Sequence, residues 1–411
     1  MIFNRISRKY ILTMSLFGFL ATVIILCFYF TSLVKSTPSS RYCEHSEVDT
    51  TNSTLELVHI VFRHGPRTPV DTYPNDPYVK STFHPTGWGH VTNKGKRELY
   101  DLGVWLNHRY GAFMEPYYSP DSLHAQATAS PRALMSLSTV LASMFAPKGT
   151  AMEWHQTFNW QPIPIFSEPL EQDSLLLVRT PCPRYFEARN EVLQLPEVQS
   201  ELAQYKSLLE NLTEITGMPV TSADAVNSIY ITLQAESEFG LALPSWTKHY
   251  YPEKMQFLAE QSYIYNAYTP EMQKIKGGPF LKKMFAEMLK KSSNSLRPSS
   301  RKMFMYTGHD WTVCNILSAL KSWERQMPLF SVMAMFELHR HRDTGQYYVE
   351  VFLRNDVKGC VRKLKIFGCD LKCPLDQLIQ LTTEVLPNES YDKRCKPKNK
   401  SFVEPPPRPV D

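Results

Sequence analysis

Cysteine is scarce in this chain, with 8 residues in 411, and glycine is less frequent than proline, at 16 against 30. So few cysteines exclude a small disulfide scaffold, and a hydrophobic content of 43% excludes a disordered chain. The excess of positive charge is small as well, at +5. We therefore expect a globular protein of about two to three folding units, with no affinity for nucleic acid.

Charge is absent from residues 11–34, a run that is long enough to span the hydrocarbon of a bilayer. A cleavable signal peptide is the alternative, but its apolar region is normally only about 7 to 15 residues. Arg5, Arg8 and Lys9 precede the run, which favours a cytoplasmic tail at 1–10 and a type II orientation. The sequence thus predicts an N-terminal transmembrane signal anchor and an extracellular or lysosomal, lumenal remainder, secreted if the anchor is cleaved.

Glycosylation sequons and cysteines fit this orientation. Cys369 and Cys373 are four residues apart, a spacing typical of a small disulfide loop or of half a zinc site. No second Cys or His pair follows at a regular interval, which favours the disulfide and predicts no metal. Cys182 and Cys395 are candidates for a long-range disulfide, although spacing does not fix the pairing. The predicted N-glycosylation sites are Asn52, Asn211, Asn388 and Asn399.

The lumenal part is predicted to be an α/β fold, a doubly wound mixed sheet with an inserted α-helical cap domain. A polar, Ser- and Thr-rich stalk covers 35–53, and strand and helix patterns alternate over 54–150 and 300–395. Between them, 151–299 contains mainly helical patterns, which we assign to the cap. Residues 396–411 are polar and Pro-rich, which predicts a flexible tail.

The first tract that indicates chemistry is Arg63-His64-Gly65-Pro66-Arg67-Thr68-Pro69, directly after a predicted strand. Two guanidinium groups beside a histidine can bind the oxygens of a phosphate in pairs. Their positive charge is expected to lower the pKa of the His64 imidazole, which keeps it neutral and nucleophilic. Gly65 is expected to let the backbone approach the ligand. A surface turn with chance basic residues is the alternative.

A second tract, Gly308-His309-Asp310, also follows a predicted strand and opens a helix. In open α/β sheets, ligands bind at the carboxyl ends of strands, so the two tracts are expected to meet around one anion. Taken alone, Asp310 could be only a helix N-cap. The agreement between two separate strand ends favours a site.

The two tracts resemble the signatures of the histidine acid phosphatases, an Arg-His-Gly-X-Arg-X-Pro tract and a later His-Asp pair. The resemblance extends over most of 55–395 and implies an acid phosphatase that hydrolyses phosphate monoesters through a phosphohistidine intermediate, without a metal or other cofactor. It implies that His64 is the nucleophile and that Asp310 gives a proton to the leaving alcohol. The implied phosphate-binding residues are Arg63, Arg67 and His309.

The sequence departs from the family pattern at two places. Family members usually have a third phosphate-binding Arg in a tract resembling Arg-Ser-Thr-Asp-X-X-Arg-Thr. When Arg132 is aligned with the end of that tract, Gln126 stands where this Arg is expected. Gln126 is then the third phosphate contact, without the charge, and losing a charge-assisted hydrogen bond costs about 1.5–3 kcal/mol. Trp311 stands where the family has a small hydroxyl residue, and we expect it to narrow the pocket.

Two other functions stay open at this point. A weakly active or non-catalytic phosphate-binding ectodomain is supported by Gln126 alone. An inositol-polyphosphate or phytase-like phosphatase would need more basic residues around the pocket, for which Lys80, Lys94, Lys96 and His84 are available. A solvated loop is the favoured explanation for these four residues. The expected partners are a small phosphate monoester and the membrane, and the sequence does not decide between a monomer and a homodimer.

Overall fold

The computed structural model describes residues 47–115, 117–176, 180–355 and 360–406, which belong to one compact unit. The predicted anchor at 11–34 lies outside these ranges. Within them, none of the helices is both long enough and apolar enough to cross a membrane. The strands are β1 (Ser53–Arg63), β2 (Leu123–Ala127), β3 (Met303–Gly308), β4 (Met333–His341), β5 (Tyr347–Arg354), β6 (Arg362–Leu364) and β7 (Cys373–Pro374).

These strands form a central mixed sheet, in agreement with the predicted α/β class. Its order is β2-β3-β1-β4-β5-β6, and β7 pairs with β5. The neighbours β2, β3 and β1 are parallel, whereas β4 and β5 form the antiparallel hairpin that the turn at Asp343-Thr344-Gly345 indicates. Because β1 and β3 run side by side in the same direction, their carboxyl ends meet at one edge of the sheet.

Helices cover both faces of this sheet. Val58, Ile60 and Phe62 of β1 point into one apolar cluster, and Leu57 and Val61 point into the other, as alternation along a strand requires. The helices are α1 (Asn93–Met114), α2 (Pro131–Met144), α3 (Pro183–Leu193), α4 (Pro196–Ala203), α5 (Lys206–Thr216), α6 (Ala223–Phe239), α7 (Thr247–Tyr250), α8 (Glu253–Tyr265), α9 (Pro270–Lys276), α10 (Gly278–Ser292), α11 (Asp310–Ala319), α12 (Leu375–Thr382) and α13 (Tyr391–Arg394).

The first face is covered by α1 and α2. The Thr92 hydroxyl accepts a hydrogen bond from the Gly95 amide and so caps the start of α1. The apolar face of α1, with Leu99, Leu102 and Leu106, is buried in the same cluster as Leu137 of α2. These two helices therefore lie under the segment that follows β1.

The inserted helices begin late within the predicted cap at 151–299. Residues 145–176 and 180–182 contain no helix or named strand, so regular helices begin only at Pro183. The last of them, α10, packs on the sheet, since the Phe280 ring lies 5.1 Å from Tyr306 and 6.3 Å from Phe336. Apolar residues from the insertion and from the sheet thus share one core, because α10 buries its face against β3 and β4.

The predicted stalk and tail also differ at their described ends. Ser53 is the buried first residue of β1, so the strand begins one residue inside the predicted stalk. At the other end, the backbone amides of Lys398 and Asn399 each donate to the Glu187 carboxylate at 2.7 Å. Glu404 in turn accepts from the amide of Cys182. Residues 396–406 are therefore held against the start of α3 by hydrogen bonds that composition does not reveal.

Both predicted disulfides are confirmed. Cys182 is bonded to Cys395, which ties α3 to the end of α13, and Cys369 is bonded to Cys373. Cys360, which the sequence leaves unassigned, is also disulfide-bonded. Cys314 is a buried free thiol, as its apolar helical surroundings predict. This pattern fits the oxidising compartment that the cysteine usage indicates.

Candidate active site

The two tracts meet at the carboxyl edge of the sheet. Arg63 at the end of β1 is paired with Gly308 at the end of β3, so His64 and His309 leave the sheet side by side. Their ring centroids lie 5.3 Å apart, with the planes nearly perpendicular. Both side chains are buried, with 2% and 8% of each residue exposed. The sheet register, rather than sequence proximity, therefore creates this site.

His64 has a backbone contact that sets its tautomer. Its Nδ1 lies 3.0 Å from the Gly65 carbonyl oxygen. Because a carbonyl only accepts, Nδ1 must donate, which leaves the Nε2 lone pair available. Burial lowers the pKa of His64 well below its usual value, and the positive charge of Arg132 and the neighbouring cations lowers it further. The lowered pKa favours the neutral form of the imidazole.

Two guanidinium groups from the first tract lie beside His64. Arg63 donates through Nη1 to the Pro328 carbonyl at 2.5 Å, and Arg67 donates through Nη1 to the Thr68 carbonyl at 2.9 Å. Burial and the charge of Arg63 lower the pKa of Arg67 to about 9, so it remains a cation in acid. In the described ranges, the Nε of each arginine is buried without a hydrogen-bond partner. These donors fit the oxygens of a bound anion.

The Phe330 ring packs beside the arginines and His64, a contact that the sequence does not predict. Its ring lies 4.3 Å from the Arg63 guanidinium carbon and 5.7 Å from that of Arg67, and 5.9 Å from the His64 ring. A guanidinium stacked on an aromatic face keeps its edge free for a planar hydrogen-bonded contact. Phe330 lies in the loop before β4, where no sequence motif marks it.

A third guanidinium at the site belongs to Arg132. Arg132 lies in the first turn of α2, and its Nη2 is 3.5 Å from the Nδ1 of His309. Gln126 lies on β2, where its Oε1 is 3.3 Å from His124 Nε2. Arg132 thus lies beside His309, whereas the described contact of Gln126 is with His124. Pro131 at the first helical position is the sequence signal that places Arg132 at the start of a helix.

Asp310 is the first residue of α11, and His309 is its N-cap, so the simple capping role considered for Asp310 falls to its neighbour. The Oδ1 of Asp310 accepts from the Trp311 amide at 2.8 Å. Its Oδ2 accepts from the Tyr263 hydroxyl at 3.1 Å and lies 3.2 Å from Arg63 Nη2. The carboxyl group is thus fixed between Arg63 and the inserted helices.

Gly65 allows close packing between the loop after β1 and α1. A Cβ at this position would lie 2.7 Å from the Leu99 side chain, so the glycine allows α1 to pack closely. The Gly65 amide also donates to the Ser136 hydroxyl at 3.1 Å, which ties the loop to α2. Since α2 and α11 both begin at the site, the partial positive charge of two helix N-termini favours an anion there.

The four basic residues considered for a polyphosphate site are solvated. Lys80, Lys94, Lys96 and His84 are all exposed. Lys94 forms an ion pair with Glu238 of α6, and Lys96 donates to Asn93. These contacts are those of an ordinary polar surface.

Comparisons with known proteins agree with the site. The family model of the histidine phosphatase superfamily (branch 2) matches residues 54–354. Human prostatic acid phosphatase is 32% identical over 84% of this chain and 89% of its own. Human lysosomal acid phosphatase is 31% identical over 83% and 80%, and the venom acid phosphatase of Apis mellifera is 33% identical over 83% and 88%. A Hafnia alvei phytase in complex with tartrate shares the fold, with a TM-score of 0.64 and 16% identity over 83% of this chain and 99% of that one.

Proposed function

Because this chain belongs to the histidine phosphatase superfamily (branch 2), we propose that it is an acid phosphatase that hydrolyses phosphate monoesters through a phosphohistidine intermediate. The observation that supports this most directly is a buried, neutral His64 beside the guanidinium groups of Arg63, Arg67 and Arg132. Its relatives named as acid phosphatases match over most of the chain.

In the first step, the Nε2 of His64 attacks phosphorus while the bond from phosphorus to the leaving oxygen breaks. Asp310 gives its carboxyl proton to that oxygen, so an alcohol leaves and a phosphohistidine remains. Charge on the three equatorial oxygens is balanced by Arg63, Arg67 and Arg132. Since a guanidinium only donates, the His309 Nδ1 accepts from Arg132, which leaves its Nε2 to donate to a phosphoryl oxygen.

In the second step, water attacks the phosphohistidine, the bond from phosphorus to nitrogen breaks, and Asp310 takes a proton from the water. Phosphate is released and both residues return to their starting states. Asp310 must hold a proton for the first step, so we expect turnover to be fastest in acid.

The two other candidate functions are less well supported. The non-catalytic reading depended on a missing charge at Gln126, and Arg132 supplies that charge within the site. The phytase-like reading depended on basic residues that have solvated or ion-paired positions. Likeness to a phytase at 16% identity indicates the fold alone. A higher rate on inositol hexaphosphate than on a monophosphate would favour the phytase-like function.

The full-length chain, purified in mild detergent, tests the proposal. We expect it to release phosphate from p-nitrophenyl phosphate between about pH 4 and 7, with the rate falling toward neutral pH. Rapid quenching with labelled substrate should trap phosphate on a histidine, and peptide mapping should place the label at His64. Phosphate binding without turnover, or a label on another residue, would contradict the proposal.

Arg132→Gln is expected to lower kcat/KM on an aryl phosphate by about tenfold to a hundredfold, because it removes one charge-assisted hydrogen bond to the phosphoryl group. The matched control is Gln126→Ala, which should change kcat/KM by less than about twofold. Inorganic phosphate should inhibit the Arg132 variant more weakly and the Gln126 variant normally. The opposite ranking of the two variants would restore Gln126 as the third contact.

The cellular setting stays a proposal. We infer from the uncharged run at 11–34 and the downstream sequons that the protein is a type II membrane glycoprotein with a lumenal or extracellular catalytic part. Asn52, Asn388 and Asn399 are exposed and Asn211 is half-buried, so glycosyltransferases could reach them. A mass decrease on glycosidase treatment, with the protein retained in the membrane fraction, tests both points. Homodimerisation also remains a prediction, which sedimentation would measure.

A further inference from the structure

The proton donor of this site has a hydrogen-bond partner from the inserted helices. Tyr263 lies on α8, is fully buried, and donates its hydroxyl to the Oδ2 of Asp310 at 3.1 Å. The other carboxyl oxygen accepts from the Trp311 amide. Each oxygen of the carboxyl group therefore has a fixed donor, and the two donors together define the χ2 rotation of Asp310.

Trp311 holds the phenol ring in place. The two ring centroids lie 4.4 Å apart, and Trp311 is half-buried beside the acid. The tryptophan that the sequence analysis expected to narrow the pocket therefore packs against Tyr263. An aromatic pair of this kind is more stable than the burial of its surface alone would make it. The residue after the His-Asp pair thus supports the donor indirectly.

We propose that Tyr263 is a positioning residue for Asp310, which turns the carboxyl group toward the leaving oxygen and sets the pH range over which it can donate. This inference rests on the proposed phosphatase function. Without the phenol, the carboxyl group can rotate, and proton transfer to a poor leaving group becomes slower. An aryl oxygen such as p-nitrophenolate leaves without full protonation, so its release depends less on this geometry.

Several charged or titratable groups face Asp310 besides Tyr263. Arg63 and Arg67 come from the segment after β1, and Cys314 lies one turn further along α11. His309 is its neighbour in the chain. Burial and the charge of Asp310 raise the pKa of Tyr263 well above its usual value, so the phenol remains a donor over the whole working range. A hydrogen bond donated to a carboxylate favours its ionised form.

The test compares Tyr263→Phe with Tyr265→Phe. Both tyrosines are buried on α8, but the Tyr265 hydroxyl bonds to Glu201 instead. We expect Tyr263→Phe to lower kcat on β-glycerophosphate about threefold to tenfold, and on p-nitrophenyl phosphate less than twofold. The alkaline limb of its pH–rate profile on β-glycerophosphate should move to higher pH by roughly half a unit. Tyr265→Phe should leave both the ratio of the two rates and the limb unchanged.

Asp310→Asn separates the two proposals. It should lose far more activity on β-glycerophosphate than on p-nitrophenyl phosphate if Asp310 is the acid. Equal loss on both esters, or an inactive wild-type protein, would overturn the proposed mechanism and the role of Tyr263 with it. If Asp310→Asn discriminates between the esters while Tyr263→Phe behaves like Tyr265→Phe, the role of Tyr263 alone is overturned.

Discussion

His64→Ala is expected to lose at least roughly a thousandfold in kcat on an aryl phosphate, because it removes the atom that forms the covalent intermediate. We expect no described neighbour to replace it. The His309 ring lies 5.3 Å from the His64 ring, and its Nδ1 already accepts from Arg132. The labelled phosphoenzyme should also disappear. Steady-state kinetics and acid-quench trapping measure the two effects.

A loss of folding must be distinguished from this loss of chemistry. The matched control is His108→Ala. Because His108 is exposed on α1, this substitution should leave kcat within about twofold of wild type. His64→Ala should keep its thermal midpoint and still bind inorganic phosphate, since Arg63, Arg67 and Arg132 remain. A His64→Ala protein that retains a tenth of the wild-type rate would exclude the covalent mechanism.

The residues of this site that follow a strand could be predicted from the sequence. The apolar run up to Phe62 predicts β1, and the polar tract after it must lie at a strand end. The same reasoning places His309 and Asp310 after β3. Parallel strands that are neighbours bring such ends together, so the meeting of the two tracts follows from the fold class.

The contacts that other parts of the chain make at the site could not be predicted in the same way. Tyr263 is 47 positions from Asp310 and reaches it only because α8 packs beside α11. Phe330 lies in a loop, and its contact with Arg63 depends on the path of the chain into β4. The close contact of Gly65 with Leu99 becomes visible only when α1 is in place. In each case the missing information is tertiary packing.

A second cluster of ionisable residues lies on β4 and β5, and its carboxylates form ion pairs with basic side chains. Atoms of Glu337, His339 and Glu350 lie within 4.8 Å of one another, an arrangement that could hold a metal ion. However, Arg109 Nη2 lies 2.6 Å from Glu337, and Lys363 Nζ lies 2.6 Å from Glu350. Since both carboxylates already have a cationic partner, we interpret the cluster as a buried charge network that joins α1 to the sheet.

Arg109→Met is expected to lower the free energy of unfolding by about 3–5 kcal/mol near neutral pH, because it leaves the fully buried Glu337 carboxylate without its cation. Urea unfolding, followed by tryptophan fluorescence, measures the change. Lys206→Met is the matched control, since Lys206 and its partner Glu210 are exposed, and it should cost less than about 1 kcal/mol.

The size of this loss should depend on pH in a defined direction. Burial alone would raise the pKa of Glu337, but the hydrogen bond from His339 and the charge of Arg109 lower it below its usual value. A carboxyl group of this kind stabilises the fold above its unfolded pKa, and the contribution is lost as the pH falls through the folded value. In Arg109→Met the carboxyl group can bind a proton instead, so the deficit should be largest near neutral pH and smaller in acid. Adding Glu337→Gln should recover part of the stability at neutral pH. If neither pH nor this second substitution changes the deficit, lost packing, rather than the uncompensated charge, destabilises the variant.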